Sequence, residues 1–285
     1  MTTNTLIALV DGSAYSESVC HHAAWIATRT GSKVKIYHVM GRRSGPDTRD
    51  LSGAIRLGAR SKLLAQLSEL DAERAKLAQE HGRAILDDAR AIIESAGEIA
   101  VETRLRQGDL VDTITAKEDT GDMIVIGKRG EAAGLASEHL GSNLERIVRA
   151  SRKPVFVANR AFREIGRVLV AFDGGPSSLK AVDHVARSPL LAGLGITLVF
   201  AGAETSQMRQ ALDNAAATLR AGGFEASIEI RAGEPEKVLA QMTAEGGHDL
   251  LVMGAYGHSR VRTLIIGSTT TEMIRSCRVP ILLMR

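Results

Sequence analysis

Aromatic residues are scarce: one tryptophan, three tyrosines and five phenylalanines make up only 3% of 285 residues. Few side chains are therefore available to stack bases, which argues against a single-strand nucleic-acid binder. A surplus of one charge is also missing. The net charge of +3 is a mild excess and not the footprint of a nucleic-acid protein. Cysteine is nearly absent. Cys20 and Cys277 lie at opposite ends of the chain, with no CxxC and no Cys/His spacing. Neither a disulfide framework nor a zinc site is expected, and a reducing compartment fits. Long hydrophobic runs are lacking too. Met1 to Asn4 carries no basic segment, and Leu6 to Val10 is too short for a signal or a span. The expectation is a cytoplasmic protein with no nucleic-acid or membrane partner. What is present is 44% hydrophobic and 24% charged residues, an ordinary globular composition with enough apolar material for a core. The length fits one large or two ordinary domains.

The chain repeats itself. Leu6-Ile-Ala-Leu-Val-Asp11-Gly12-Ser13 matches Val168-Leu-Val-Ala-Phe-Asp173-Gly174-Gly175. Asp122-Met-Ile-Val-Ile-Gly127-Lys-Arg-Gly130 matches Asp249-Leu-Leu-Val-Met-Gly254-Ala-Tyr-Gly257. Lys153-Pro154-Val-Phe-Val matches Val279-Pro280-Ile-Leu-Leu. The first pair of motifs is offset by about 162 positions and the later ones by about 126, so copy one carries extra residues in between. Each copy is too long for a solenoid repeat. The expected domains are residues 1–160 and 164–285, joined near Asn159 to Gly166, with a helical insertion over about 41–97.

Runs such as Leu250-Leu-Val-Met and Ile196-Thr-Leu-Val-Phe are continuous rather than alternating, as strands covered on both faces are. They alternate with helical stretches over Ser16 to Thr30, Leu110 to Thr120, Ser142 to Ala150, Ser178 to Leu191, Thr205 to Ala221, Pro235 to Glu245 and Thr269 to Ser276. Alternating βαβ elements imply two α/β domains with open parallel sheets. The insertion places Leu63, Leu67 and Leu70, then Leu77, Ile85, Ala89 and Ile92, among charged residues. This reads as one amphipathic helix or a pair: a longer crossover helix, or a partner-binding or lid element.

Three motifs carry candidate chemistry. The strongest is Gly254-x2-Gly257-x9-Gly267-Ser268-Thr269-Thr270, which follows an apolar strand and ends at a helix start. Glycines let backbone approach a polyphosphate, a helix N-terminus binds anions, and Ser268 and Thr270 add hydroxyl donors. The same residues also serve as turn glycines and a helix cap. The second motif is Asp173-Gly174 at the end of the first strand of copy two. Ligands bind at the carboxyl ends of strands in such sheets, and an Asp there can accept from the exocyclic amine of a base; a turn residue is the alternative. The third, Gly233-Glu234-Pro235, is read mainly as a strand-to-helix turn. Adjacent His21 and His22 point to different faces of a helix, so joint metal ligation is not expected. His258 and Arg260 sit in the glycine loop and read as exposed polars or phosphate contacts.

Together, the early Asp-Gly strand end, the Gly-x-Pro turn and the Gly-x2-Gly-x9-Gly-Ser/Thr motif resemble the universal stress proteins, over nearly the whole chain and twice. The resemblance implies two tandem Rossmann-like, adenine nucleotide alpha hydrolase-like domains. It implies an adenine nucleotide as ligand: ATP, with or without Mg2+. Asp173 and backbone near Phe200 would hold adenine. Met253, Gly254 and Gly257 would line ribose and phosphates, with Gly267, Ser268, Thr269 and Thr270 on the phosphates. Copy one keeps Asp11, Val39, Gly127, Gly130, Gly141 and Ser142. It departs by one extra residue between Gly130 and Gly141, and by Leu144 where a second hydroxyl would stand, which removes a phosphate donor. Lys128 and Arg129 either compensate or are solvated. Copy two is thus the better-equipped site. The resemblance also implies pairing of the last strands, Pro154 to Ala158 and Pro280 to Met284, as an internal pseudo-dimer, and leaves a homodimer open.

Three functions remain: a nucleotide-dependent binding and signalling protein of the stress response, a slow ATPase, and an interaction scaffold with degenerate sites. No Gly-Lys-Ser/Thr lysine, second acidic cluster or base to activate water is evident, which favours a binding protein over an enzyme. A related adenine-nucleotide hydrolase would need a Ser-Gly-Gly-x-Asp-Ser loop, which Asp173-Gly-Gly-Pro-Ser-Ser matches only superficially.

Overall fold

A computed structural model describes residues 4–41, 57–130, 142–255 and 267–285. The first half runs β1 (Thr5–Leu9), α1 (Ser16–Thr30), β2 (Lys33–Met40), α2 (Leu57–Glu94), β3 (Val101–Gln107), α3 (Leu110–Thr115), β4 (Met123–Gly127), α4 (Ser142–Ala150) and β5 (Val155–Ala158). The second half repeats the order: β6 (Arg167–Ala171), α5 (Pro176–Arg187), β7 (Gly195–Ala201), α6 (Ser206–Ala221), β8 (Ala226–Arg231), α7 (Pro235–Glu245), β9 (Leu250–Gly254), α8 (Ser268–Ser276) and β10 (Ile281–Met284). The strands form one ten-stranded sheet in the order β3-β2-β1-β4-β5-β10-β9-β6-β7-β8. Neighbours are parallel within each half, and only β5 and β10 pair antiparallel. Helices α1, α2, α5 and α6 cover one face, and α3, α4, α7 and α8 the other. Two covered faces explain why the strands read as unbroken apolar runs.

Helix limits depart from expectation where a polar group must be served. The stretch Leu110 to Thr120 is broken: α3 stops at Thr115 and a 3₁₀ turn spans Glu118–Thr120. The break buries Glu118, whose carboxylate accepts from the Ser151 hydroxyl and from the backbone N–H groups of Arg152 and Lys153. The stretch to Leu191 ends at Arg187, because Pro189 cannot continue a helix and instead opens a 3₁₀ turn. The predicted polar loop from Arg42 to Asp50 lies outside the described residues, and among those described the insertion forms one helix of 38 residues, against 16 for its counterpart α6. Its last turns bury Leu86, Ala89 and Ile93 against the sheet, as a crossover helix does, whereas Leu67, Leu70 and Leu77 are exposed.

At the seam Leu282 opposes Phe156, both fully buried. A cation of each half caps a helix end of the other. Arg285 donates to the Arg149 and Ser151 carbonyls at the end of α4, and Lys128 Nζ donates to the Cys277 carbonyl at 2.8 Å after α8. A positive charge there complements the negative end of a helix dipole.

Two histidines 162 positions apart, His22 on α1 and His184 on α5, each have a buried Nε2 with no hydrogen-bond partner among the described residues. His22 packs against Phe156 and Phe162 and binds the Ser18 carbonyl through Nδ1 at 2.7 Å. Burial pulls its pKa from 6.5 down to about 4, and burial lowers that of His184 too. The unfolded chain takes up these protons near pH 6.5, whereas folded His22 resists until about pH 4. In that window the unfolded state holds more protons, so stability falls as pH is lowered. The expected loss from His22 is roughly 2 kcal/mol by pH 5. Urea midpoints at pH 7 and pH 5 check this: the difference shrinks in His22→Leu, and equal midpoints in the wild type would contradict it.

Candidate functional site

Both copies turn sharply after their first strand, and the turn is built the same way. Gly12 (φ 80°) and Gly174 (φ 75°) adopt the left-handed conformation that glycine permits. A serine five residues after each aspartate locks it. Ser178 Oγ donates to Asp173 Oδ1 at 2.6 Å, and Ser16 Oγ donates to Asp11 Oδ1 at 3.2 Å. The same oxygens accept from the backbone N–H groups of Gly175 and Ser13. Each carboxylate is thus fixed at the carboxyl end of the sheet before any ligand arrives. Sequence reasoning missed Ser16 and Ser178, although their identical Asp-x4-Ser spacing was there to be read.

In copy two this turn opens on a cavity of about 330 Å³. Four separated segments line it: Ala171 to Asp173 with Ser178, Val199 to Ala201, Pro235 with Leu239, and Met253–Gly254 with Gly267 to Thr270. The predicted Asp173, Phe200, Met253, Gly254, Gly267, Ser268, Thr269 and Thr270 are therefore brought together. Gly257, His258 and Arg260 lie outside the described residues. Gly254 is glycine for a packing reason as well. A Cβ there would stand 2.6 Å from the Ser177 Cβ and 3.1 Å from backbone atoms at the start of α5.

Helix α8 begins at the cavity, and its N-cap, Gly267, has no side chain to cap the first turn. Backbone N–H groups at such a start favour an anion. Ser268 is exposed and Thr269 half-buried, but Thr270 differs from expectation. It is buried, and its hydroxyl lies 3.3 Å from the Gly254 carbonyl and 3.2 Å from that of Ala255, donating inward to the end of β9. Its counterpart Leu144 is fully buried. That position faces the core, so Leu144 replaces an internal hydrogen bond rather than an outward-facing donor.

The strand register corrects another pairing. Leu9 lies opposite Tyr37 as Ala171 lies opposite Val199. The counterpart of Val39 is therefore Ala201, and that of Phe200 is His38. The cavity includes both Phe200 and Ala201. In copy one, Asp11 sits beside Gly130, where a Cβ would meet its Oδ2 at 2.7 Å. Gly127 ends β4 and Ser142 opens α4, while Gly141 lies outside the described residues. Lys128 does not serve the glycine turn. It is spent on the α8 carboxyl end, where burial lowers its pKa.

The cysteines are buried, and burial pushes the Cys20 thiol up to about 12 and raises that of Cys277. A protonated buried thiol is a poor nucleophile. Among the described residues no group of three His, Cys, Asp or Glu could hold a metal ion, and no helix is long and apolar enough to cross a membrane.

Two tandem α/β halves sharing one mostly parallel sheet, each with an Asp-Gly turn after its first strand and the second with a glycine-capped helix start, define the class of protein. A model of the Universal stress protein family matches residues 2–159 and 198–285. Universal stress protein Slr1230 of Synechocystis is 36% identical over 98% of this chain and 99% of its own. The chain belongs to the universal stress protein family. A universal stress protein from Archaeoglobus fulgidus shares the fold over 100% of this chain and 99% of its own, with a TM-score of 0.71 at 22% identity. A structure from Pseudomonas aeruginosa covers 99% of this chain and 93% of its own, with a TM-score of 0.64 at 16% identity.

Proposed function

We propose that the chain is a cytoplasmic stress-response protein that binds an adenine nucleotide, ATP, in the cavity of its second copy and signals through the bound state. One observation carries this reading: a single cavity unites the Asp173 turn, the end of β7 and the glycine-capped start of α8. Its volume suits a small ligand. The Asp173 carboxylate accepts from the exocyclic amine of adenine, and backbone at Phe200 and Ala201 reads the base edge. Ala171, Val199, Leu239 and Met253 supply the apolar wall against the base. Gly254 and Gly257 border the ribose. The first turn of α8, with Ser268 and Thr269, takes the phosphates. Mg2+, where it accompanies ATP, would be held chiefly by the nucleotide's phosphates, as is usual for Mg2+ in nucleotide sites.

Residues 1–160 and 164–285 act as two domains joined as an internal pseudo-dimer, a reading supported by the antiparallel β5–β10 seam. The copy-two site is the preferred one. Asp173→Asn tests the base contact. It keeps an oxygen for Ser178 and Gly175 but opposes an amide to the adenine amine. ATP affinity measured by calorimetry falls roughly tenfold or more, as a charged hydrogen bond of about 1.5–3 kcal/mol requires. Unchanged affinity would remove Asp173 from base recognition.

A further inference from the structure

We infer that copy one is closed to nucleotide by two of its own side chains, Leu9 and Tyr37, and that the chain therefore holds one nucleotide rather than two. The inference rests on the reading of the copy-two cavity as the nucleotide site. The two copies share backbone geometry at this place. Val10 N–H donates to the Tyr37 carbonyl at 3.0 Å, and Phe172 N–H donates to the Val199 carbonyl at 2.9 Å. The strand partners are likewise Leu9 with Tyr37 and Ala171 with Val199. Side chains at equivalent positions therefore project from equivalent points to the same face, where both pairs join one apolar cluster.

They differ in size. Where copy two has the single methyl of Ala171 and the short Val199, copy one has a leucine and an aromatic ring. Ala171 and Val199 are walls of the 330 Å³ cavity. Leu9 and Tyr37 are 7% and 3% exposed, packed with Val111, Ile114 and Ile126. A tyrosine ring fills the space that a flat base would need, and tight packing leaves no room for both. The aspartate turn is intact in copy one, so closure comes from the wall and not from the recognition group. Tyr37 and Leu9 enlarge this wall most; Val39 in the place of Ala201 and Leu144 in the place of Thr270 add to it, while Ile114 and Ile126 stand where Leu239 and Met253 stand, with similar bulk.

The test counts ATP per full-length chain by equilibrium dialysis in three proteins, with circular dichroism confirming the fold of each. The wild type holds one ATP. Ala171→Leu/Val199→Tyr transplants the plug into an existing cavity and holds none. Leu9→Ala/Tyr37→Val opens copy one and holds two, the second lost on adding Gly130→Asp. Where the opened protein fails to fold, the filled protein decides. Two ATP in the wild type, or one still bound in the filled protein, would overturn the plug while leaving the nucleotide reading standing. No ATP in the wild type would instead sink the nucleotide reading itself, and the plug with it.

Discussion

Gly267→Asp abolishes ATP binding and leaves the protein folded. Gly267 has φ −57° and ψ 145°, a conformation open to any residue, and it is the N-cap of α8. Aspartate is among the best N-cap residues, so the substitution helps the helix by a few tenths of a kcal/mol. The same carboxylate takes the first-turn N–H groups for itself and sets a negative charge against the phosphates. Like charges about 4 Å apart at an effective dielectric of about 20 repel by about 4 kcal/mol. Affinity then falls by roughly a hundredfold or more. Calorimetry with ATP, beside urea denaturation of the same protein, separates binding from stability. Full affinity in a folded variant would move the phosphates away from α8.

Leu282→Asp has the largest expected effect on stability. Leu282 lies on β10 against Phe156 of β5, at the centre of the ten-stranded sheet. Both side chains are fully buried and belong to a core that runs through both halves. A carboxylate there has no partner and leaves a leucine-sized defect. Burying an uncompensated charge and losing a packed side chain together cost about 5 kcal/mol or more, comparable with the whole stability of a typical protein. The expected result is loss of the cooperative thermal transition at neutral pH. A transition within a few degrees of wild type would mean that the β5–β10 seam does not hold the two halves together.

Much of this was legible in the sequence, and the limits have physical causes. The duplication, the parallel α/β class and the motif order follow from repeated apolar runs and glycine spacings. The cavity unites residues such as Asp173, Met253 and Gly267 that only the repeat made comparable. Strand phase was harder. A strand buried on both faces has no alternation, so nothing in Ile196-Thr-Leu-Val-Phe says which side chain faces the cavity, and Val39 and Phe200, named for the two copies, are not counterparts in the strand register. Thr270 sits among four consecutive hydroxyl residues, Ser268 to Thr271, and only helix phase tells that it points inward. The same blindness hid the contrast between Leu9 and Ala171: the difference in size is visible, but its meaning depends on the face. Lys128 belongs to a loop motif by sequence, yet its partner lies 149 positions away across the seam.

The most direct test is a crystal structure of the wild-type chain grown with ATP. The account predicts adenine against Ala171 and Val199, its amine on Asp173, and phosphates at the Gly267 to Thr270 turn, with copy one empty of nucleotide. Nucleotide bound between Asp11 and Tyr37, or only outside the copy-two cavity, would contradict it.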